Sequence, residues 1–249
     1  MNARPDRLQQ LALLDDAFVA AQTWRVRPSD RARRLAVRVL PGGIVEIVVP
    51  RGTRPRAVQH FVARHRDWID RKVVQYQPTD PLPSGQLPDR IVFAANAQDF
   101  RVRYETAPGS PRLQLADGRL VVSGDCTRTA FVRHVLQRFT MRMAHEILGP
   151  WLDNLSYASE LPFERLQIRR QRTRWGSCSR NGTISLNACL LFQPPAVVRY
   201  LLIHELVHTR HMNHSRQFWA AVGTLEPRWR ELDATLSQGW RSVPAWVLR

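Results

Sequence analysis

Lysine is almost missing from this chain: of its 37 basic residues only Lys72 is a lysine, and the rest are arginine. Acidic residues are also few, 21 in all, which leaves a net charge of +16. No basic tail produces the excess. It is spread as 20 basic against 13 acidic residues before position 126 and 17 against 8 from there on. A distributed excess without a nucleic-acid motif gives non-specific attraction to phosphates and no more. Cysteine is scarce as well. Cys126, Cys178 and Cys189 are odd in number, widely spaced and free of any CxxC. That excludes a disulfide framework and a cysteine-rich zinc site, and points to a reducing compartment. No apolar run reaches 18 residues, so no membrane span is expected. Asp6, Asp15 and Asp16 interrupt the stretch where a signal peptide needs an unbroken apolar core. The expected location is the cytoplasm.

What is present is an ordinary globular composition, 44% apolar over 249 residues, enough for one large domain or two small ones. Leu8, Leu11, Leu14 and Phe18 predict a short helix within residues 6–22. Leu35–Leu40 and Ile44–Val49 flank Pro41-Gly42-Gly43 and predict a β-hairpin. Pro55 opens a helix expected to run through Tyr76. Four prolines, at 78, 81, 83 and 88, mark a loop. Strands are predicted around Ile91–Phe93, Phe100–Thr106 and Leu113–Val122, the last turning at Gly118. Phe131, Val132, Val135, Leu136, Phe139, Met143 and Ile147 predict the buried stripe of a helix over 129–148. Gly149-Pro150 is expected to interrupt it before a further stretch to Leu155. Leu166–Arg170 reads as a strand, and Asn181-Gly182 predicts a hairpin turn into a return strand at Thr183–Leu186. Pro194-Pro195 opens a helix to about Arg210. Two more helices, over 215–222 and 227–237, are expected before Gly239.

The informative motif lies in the helix after Pro195. His204-Glu205-Leu206-Val207-His208 is an HExxH. Two histidines four apart share one helix face, a turn apart, so both imidazoles reach one ion at about 2.0–2.1 Å. Glu205 projects beside them, placed to take a proton from a water that the ion activates. With eight histidines and eight glutamates in the chain, chance supplies about 0.008 such motifs, so coincidence is a poor explanation. A catalytic zinc needs a third protein ligand and an open fourth position. His214 stands at the spacing of the metzincin pattern HExxHxxGxxH, with His211 in place of the glycine. The other candidates are Glu226 and Glu231, on a later helix. His145-Glu146 is half a motif, since Gly149 stands where its second histidine would be. It reads as the exposed side of the long helix, and His60, His65 and His134 read as structural or exposed.

Taken together, Thr173–Ser179, Ile184–Asn187, His204–His208, Met212–Ser215 and Phe218-Trp219 resemble the YgjP-like metallopeptidase family, related in style to the SprT and WLM zincins. The resemblance implies His214 as third ligand. The expected fold class is α+β: an N-terminal antiparallel β/α region, then a zincin-like catalytic domain of an HExxH helix beside a β-hairpin. The expected division is a tail or short helix over 1–30, a β/α subdomain over 31–125 and the metallohydrolase domain over 126–249. The expected cofactor is Zn2+.

Arg174, Trp175, Gly176 and Ser177 precede the Asn181-Gly182 turn and are candidate substrate contacts. An edge strand there pairs with extended substrate, and Gly176 permits close backbone approach. The competing reading is a packing motif with Trp175 in the core. Arg169, Arg170, Arg172 and Arg174 are suited to phosphate or are the solvated face of a strand. The favoured function is peptide-bond hydrolysis on a peptide or protein substrate. The alternatives are hydrolysis of a nucleotide or another phosphorylated small molecule, and a nucleic-acid-associated SprT-like protease or binding module.

Overall fold

The computed structural model describes residues 24–77, 86–116 and 118–248. The helix expected within 6–22 lies outside them. The chain divides into two compact units, Met1–Thr79 and Asp80–Arg249. The division falls in the four-proline stretch, whose residues 78–85 lie outside the described ones, whereas the sequence reading placed it at 125/126. The strands over 90–124 belong to the second unit because Phe93 and Phe100 pack on Phe139 of the long helix, with ring centroids 6.1 and 5.4 Å away.

In the first unit, strands β2 (Ala36–Leu40) and β3 (Ile44–Pro50) form the expected hairpin. Gly42 and Gly43 take φ of 82° and 71° at its turn, a region that glycine enters at little cost. The sheet is not purely antiparallel. Strand β1 (Trp24–Ser29) runs parallel to β3, giving the order β1-β3-β2. Pro28, which lacks a ladder donor, is tolerated there because β1 is an edge strand. The single helix expected from Pro55 to Tyr76 is two helices, α1 (Pro55–Arg64) and α2 (Arg66–Tyr76). They part at His65, whose backbone leaves the helical region and whose Nδ1 lies 2.7 Å from the Phe61 carbonyl. Val58, Val62, Ile69 and Val73 from these helices bury against Val45, Ile47 and Val49 of β3.

The second unit begins with a four-stranded sheet of β4 (Arg90–Phe93), β5 (Gln98–Thr106), β6 (Arg112–Ala116) and β7 (Arg119–Gly124), in the order β4-β5-β7-β6. Helix α3 spans Thr129–Ser159 without a break, so Gly149-Pro150 does not interrupt it. Pro150 is exposed, and on the solvent side water can take up the carbonyl that its missing N–H leaves free. Phe131 of the expected stripe is 51% exposed, while Val132, Leu136, Phe139 and Met143 are buried.

Three short strands come next: β8 (Arg165–Arg169), β9 (Gly176–Cys178) and β10 (Thr183–Asn187). The hairpin turning at Asn181-Gly182 joins β9 to β10, while β8 pairs with β10 in parallel on its other side. The expected 166–187 hairpin is therefore a three-stranded sheet, and β8 and β9 are its edges. A 3-10 turn (Ala188–Phe192) leads into α4 (Pro195–Val207), then α5 (Arg216–Leu225) and α6 (Trp229–Gln238). A second 3-10 turn (Gly239–Ser242) and α7 (Ala245–Leu248) close the chain. Mixed helices and strands make this an α+β fold. Among the described residues no helix is long and apolar enough to cross a membrane.

Candidate metal centre

Helix α4 is apolar on nearly every side: Val197, Val198, Leu201, Leu202, Ile203, Leu206 and Val207 are all at most 5% exposed. Such a helix is a core element, and it carries His204, Glu205 and His208 to the edge of the core. Helix α4 ends at His208, and the chain turns back at once through Thr209, Arg210 and His211, whose backbone amides return to Leu206 and Val207. The turn needs no glycine. Among the described residues only Ala97 and Glu160 are non-glycines with positive φ, so His211 takes the metzincin glycine's place without strain. Ser215 then caps α5, its Oγ accepting from the Phe218 amide at 3.3 Å. That leaves His214 just before the new helix.

The three histidines come together. Each offers one ring nitrogen, and the three atoms lie within 4.8 Å of one another. The Nε2 atoms of His204 and His214 are 3.2 Å apart. Phe218 backs all three rings, with centroids 4.9, 4.5 and 4.8 Å from His204, His208 and His214. Trp219 stacks on His214 at 5.5 Å. The outer nitrogens are also engaged. His208 Nδ1 donates to the His211 carbonyl at 2.9 Å. His204 Nδ1 lies 3.4 Å from the Tyr200 hydroxyl, which donates to Asp233 Oδ1 at 2.8 Å.

Burial, then the neighbouring His208 and His214, push the His204 pKa down to about 3. Burial also lowers His208. Both rings are therefore neutral at pH 7 with a lone pair to give, as a metal ligand requires. Glu205 is 3% exposed, and its Oε2 is buried without a hydrogen-bond partner. Burial raises its carboxyl to about 8, against a weaker downward pull from Arg174. Three convergent imidazoles, two of them held neutral by burial, and an orphaned carboxyl oxygen fit a divalent cation with a water beside it. The other acids are placed elsewhere. Glu226 is buried against Arg199, with Oε2 2.7 Å from Nη1, and Glu231 is exposed. Cys178 is held protonated, its thiol pushed up to about 11 by burial and then by Glu205.

Strand β9 lies against α4 at Gly176. A Cβ on Gly176 would stand 2.5 Å from Glu205 Oε1 and 2.9 Å from its Cδ. The sequence reading gave this room to a substrate backbone; the group that stands against Gly176 is the Glu205 carboxyl. Trp175 does not face the site. It is 9% exposed and stacks on Trp240 at 4.0 Å, so the ring anchors the strand in the core. Ser177 is half-buried on β9, opposite Ser185, and Arg174 is exposed. Of the neighbouring arginines, Arg170 bonds to Gln137 and Arg169 to Gln167.

Sequence reasoning places Asn187 in a motif but assigns it no task. Asn187 is fully buried. Its Nδ2 donates to the carbonyls of Gln171 and Arg174 at 2.7 and 2.8 Å, and its Oδ1 accepts from the Cys189 amide at 3.1 Å. These bonds fix the loop that delivers Gly176 to Glu205. Tyr200 and Asp233 were also missed, although Tyr200 sits one helical turn before His204, on the same face.

No curated protein matches this sequence. Among solved structures, the chain is similar to one described as the crystal structure of the metallopeptidase zymogen of Pyrococcus abyssi abylysin. That match has 25% identity and a TM-score of 0.34, over 36% of this chain and 91% of that one. The YgjP-like metallopeptidase domain matches residues 33–239. That span takes in both histidine segments, the loop from Arg174 to Cys178 and Asn187, and the chain belongs to the YgjP-like metallopeptidase family.

Proposed function

We propose that this protein is a zinc peptidase in which His204, His208 and His214 hold the ion and Glu205 is the general base. The observation that carries the reading is the pairing of three convergent imidazoles with a buried carboxyl oxygen that has no partner. When bound there, zinc supplies a Lewis acid that makes water nucleophilic near neutral pH and polarises a carbonyl. Glu205 accepts the proton of the attacking water and delivers it to the leaving amide nitrogen. Burial holds the Glu205 carboxyl at about 8, and a cation within about 4–6 Å brings such a group back into its ionised form. Gly176 provides the room in which the carboxyl moves the proton. Strand β9, an edge of its sheet and in contact with Glu205 at Gly176, is the backbone against which an extended peptide lies. A peptide recognised in this way needs no phosphate site, and Arg170 is already engaged by Gln137.

The test is turnover by zinc-loaded protein on a mixed-sequence peptide library and on a nucleotide panel, with Glu205→Gln as blank. Peptide cleavage that falls about 10²–10⁴-fold in the variant, with zinc content unchanged, is the expected result. Nucleotide hydrolysis without peptide cleavage overturns the peptidase assignment. Loss of zinc from Glu205→Gln overturns the base assignment.

A further inference from the structure

We propose that Tyr200 and Asp233 are positioning residues that lock His204 in the tautomer with its proton on Nδ1, leaving Nε2 bare toward His208 and His214. The inference builds on the metal centre proposed above. Tyr200 precedes His204 by one turn of α4, and its ring is fully buried. Its hydroxyl has one proton. Asp233 reaches across from α6, and its Oδ1 accepts that proton at 2.8 Å. What the hydroxyl then turns toward His204 Nδ1, 3.4 Å away, is a lone pair. The proton in that contact has to come from Nδ1. A neutral imidazole carries one N–H, so Nε2 is left as an acceptor, 3.2 Å from His214 Nε2.

Without Asp233 the direction is free to reverse. The Tyr200 hydroxyl can then donate to Nδ1, which puts the ring proton on Nε2, where the ion should sit. His208 reaches the same tautomer by a different route, because its Nδ1 faces a carbonyl, that of His211, which can only accept. The two HExxH histidines thus have separate devices for the same outcome. Only that of His204 depends on a side-chain carboxylate contributed by another helix.

Two readouts test this. In chelator-treated, metal-free protein at pH 7.5, the ¹⁵N shifts of the imidazoles report the tautomer directly. Wild type should show Nδ1–H for both His204 and His208. Tyr200→Phe and Asp233→Ala should shift His204 toward Nε2–H and leave His208 unchanged. In a competition titration with a chromophoric zinc chelator, both variants should bind zinc about 10–100-fold more weakly. Asp233→Asn, whose amide oxygen still accepts, should recover part of the loss. Asp233 is exposed, so its variants keep the test open if Tyr200→Phe proves unstable. An Nε2–H tautomer at His204 in wild type overturns the proposal. So does zinc affinity within twofold of wild type in Asp233→Ala, or weakened affinity with the His204 tautomer unchanged. If wild type itself takes up no zinc, the reading of the metal centre fails, and the metal-free spectra still decide the tautomer relay separately.

Discussion

Replacing Glu205 with glutamine should stabilise the metal-free protein, by an amount that grows with pH. The carboxyl is 3% exposed, and its pKa is raised from 4.5 to about 8, chiefly by burial. The folded state therefore holds this proton more tightly than the unfolded chain does. Below pH 4.5 both states are protonated and the residue contributes no penalty. Between pH 4.5 and 8 the unfolded state releases the proton first, and stability falls as pH rises, by up to about 1.4 kcal/mol per pH unit. Above pH 8 the penalty is constant at about 5 kcal/mol, which is 3.5 units at that slope. Glutamine has the same shape and no proton to lose. For a unit of this size each kcal/mol moves Tm by about 2–4 °C, so the variant should melt about 10–20 °C higher at pH 9 and no higher at pH 4.5. The lowered pKa of His204 and His208 acts in the opposite sense. A ring kept neutral by burial loses stability as pH falls below the unfolded value of 6.5. Both proteins share that loss, so it cancels in their difference. The assay is thermal melting in chelator from pH 4.5 to 9. Parallel curves for the two proteins would refute the buried, unpartnered state of Glu205. Saturating zinc should shrink the gap, because a cation beside the carboxylate offsets its burial.

The proposed metal ligands are tested by elemental analysis: wild type should carry about one zinc per chain, and His204→Ala, His208→Ala and His214→Ala should each lose most of it. Full occupancy in His214→Ala would move the third ligand elsewhere. Gly176→Ala places a Cβ 2.5 Å from Glu205 Oε1, and should reduce turnover about 10²-fold while costing about 1–3 kcal/mol in urea unfolding. Unchanged turnover would remove Gly176 from the site. Asn187→Ala strands two loop carbonyls and the Cys189 amide. It should cost about 3–5 kcal/mol by urea unfolding, and a loss under about 1 kcal/mol would show that water replaces the side chain.

Local patterns were readable and non-local ones were not. The pairing of His204 with His208 is a property of one helix, set by about 3.6 residues per turn, and needs no tertiary knowledge. The Asn181-Gly182 turn is equally local, and it appears where expected. Strand β1 was invisible because its partner β3 lies across an intervening strand in the sequence, runs parallel to it, and leaves Pro28 tolerable only at an edge. Phe131 fits the helical period but faces solvent, since period alone does not say where a stripe ends. Pro150 carried the wrong weight. A proline breaks a helix where the freed carbonyl is buried, and here the position is exposed. Gly176 was read as admitting a substrate backbone, whereas the group packed against it is the Glu205 carboxyl, from a helix far along the chain, a distance over which a sequence carries no spacing rule. Tyr200 sat in plain view, four residues before a ligand candidate, yet its meaning depends on Asp233, which only the packing of α6 against α4 supplies.

These features share one electrostatic logic. An apolar helix takes His204, Glu205 and His208 out of water, and desolvation opposes charge on these three. Two histidines respond by staying neutral, which is the state a metal needs from a ligand. The glutamate responds by keeping its proton, which is the wrong state for a base. A divalent cation would resolve the mismatch, since such an ion binds neutral imidazoles and favours an ionised carboxylate nearby. Glu205 Oε2 is an unused acceptor on a carboxyl that burial keeps from ionising. Direct contacts hold the neighbouring segments in place. Asn187 clamps the loop, the stacked Trp175 and Trp240 anchor β9, and Tyr200 and Asp233 restrain His204.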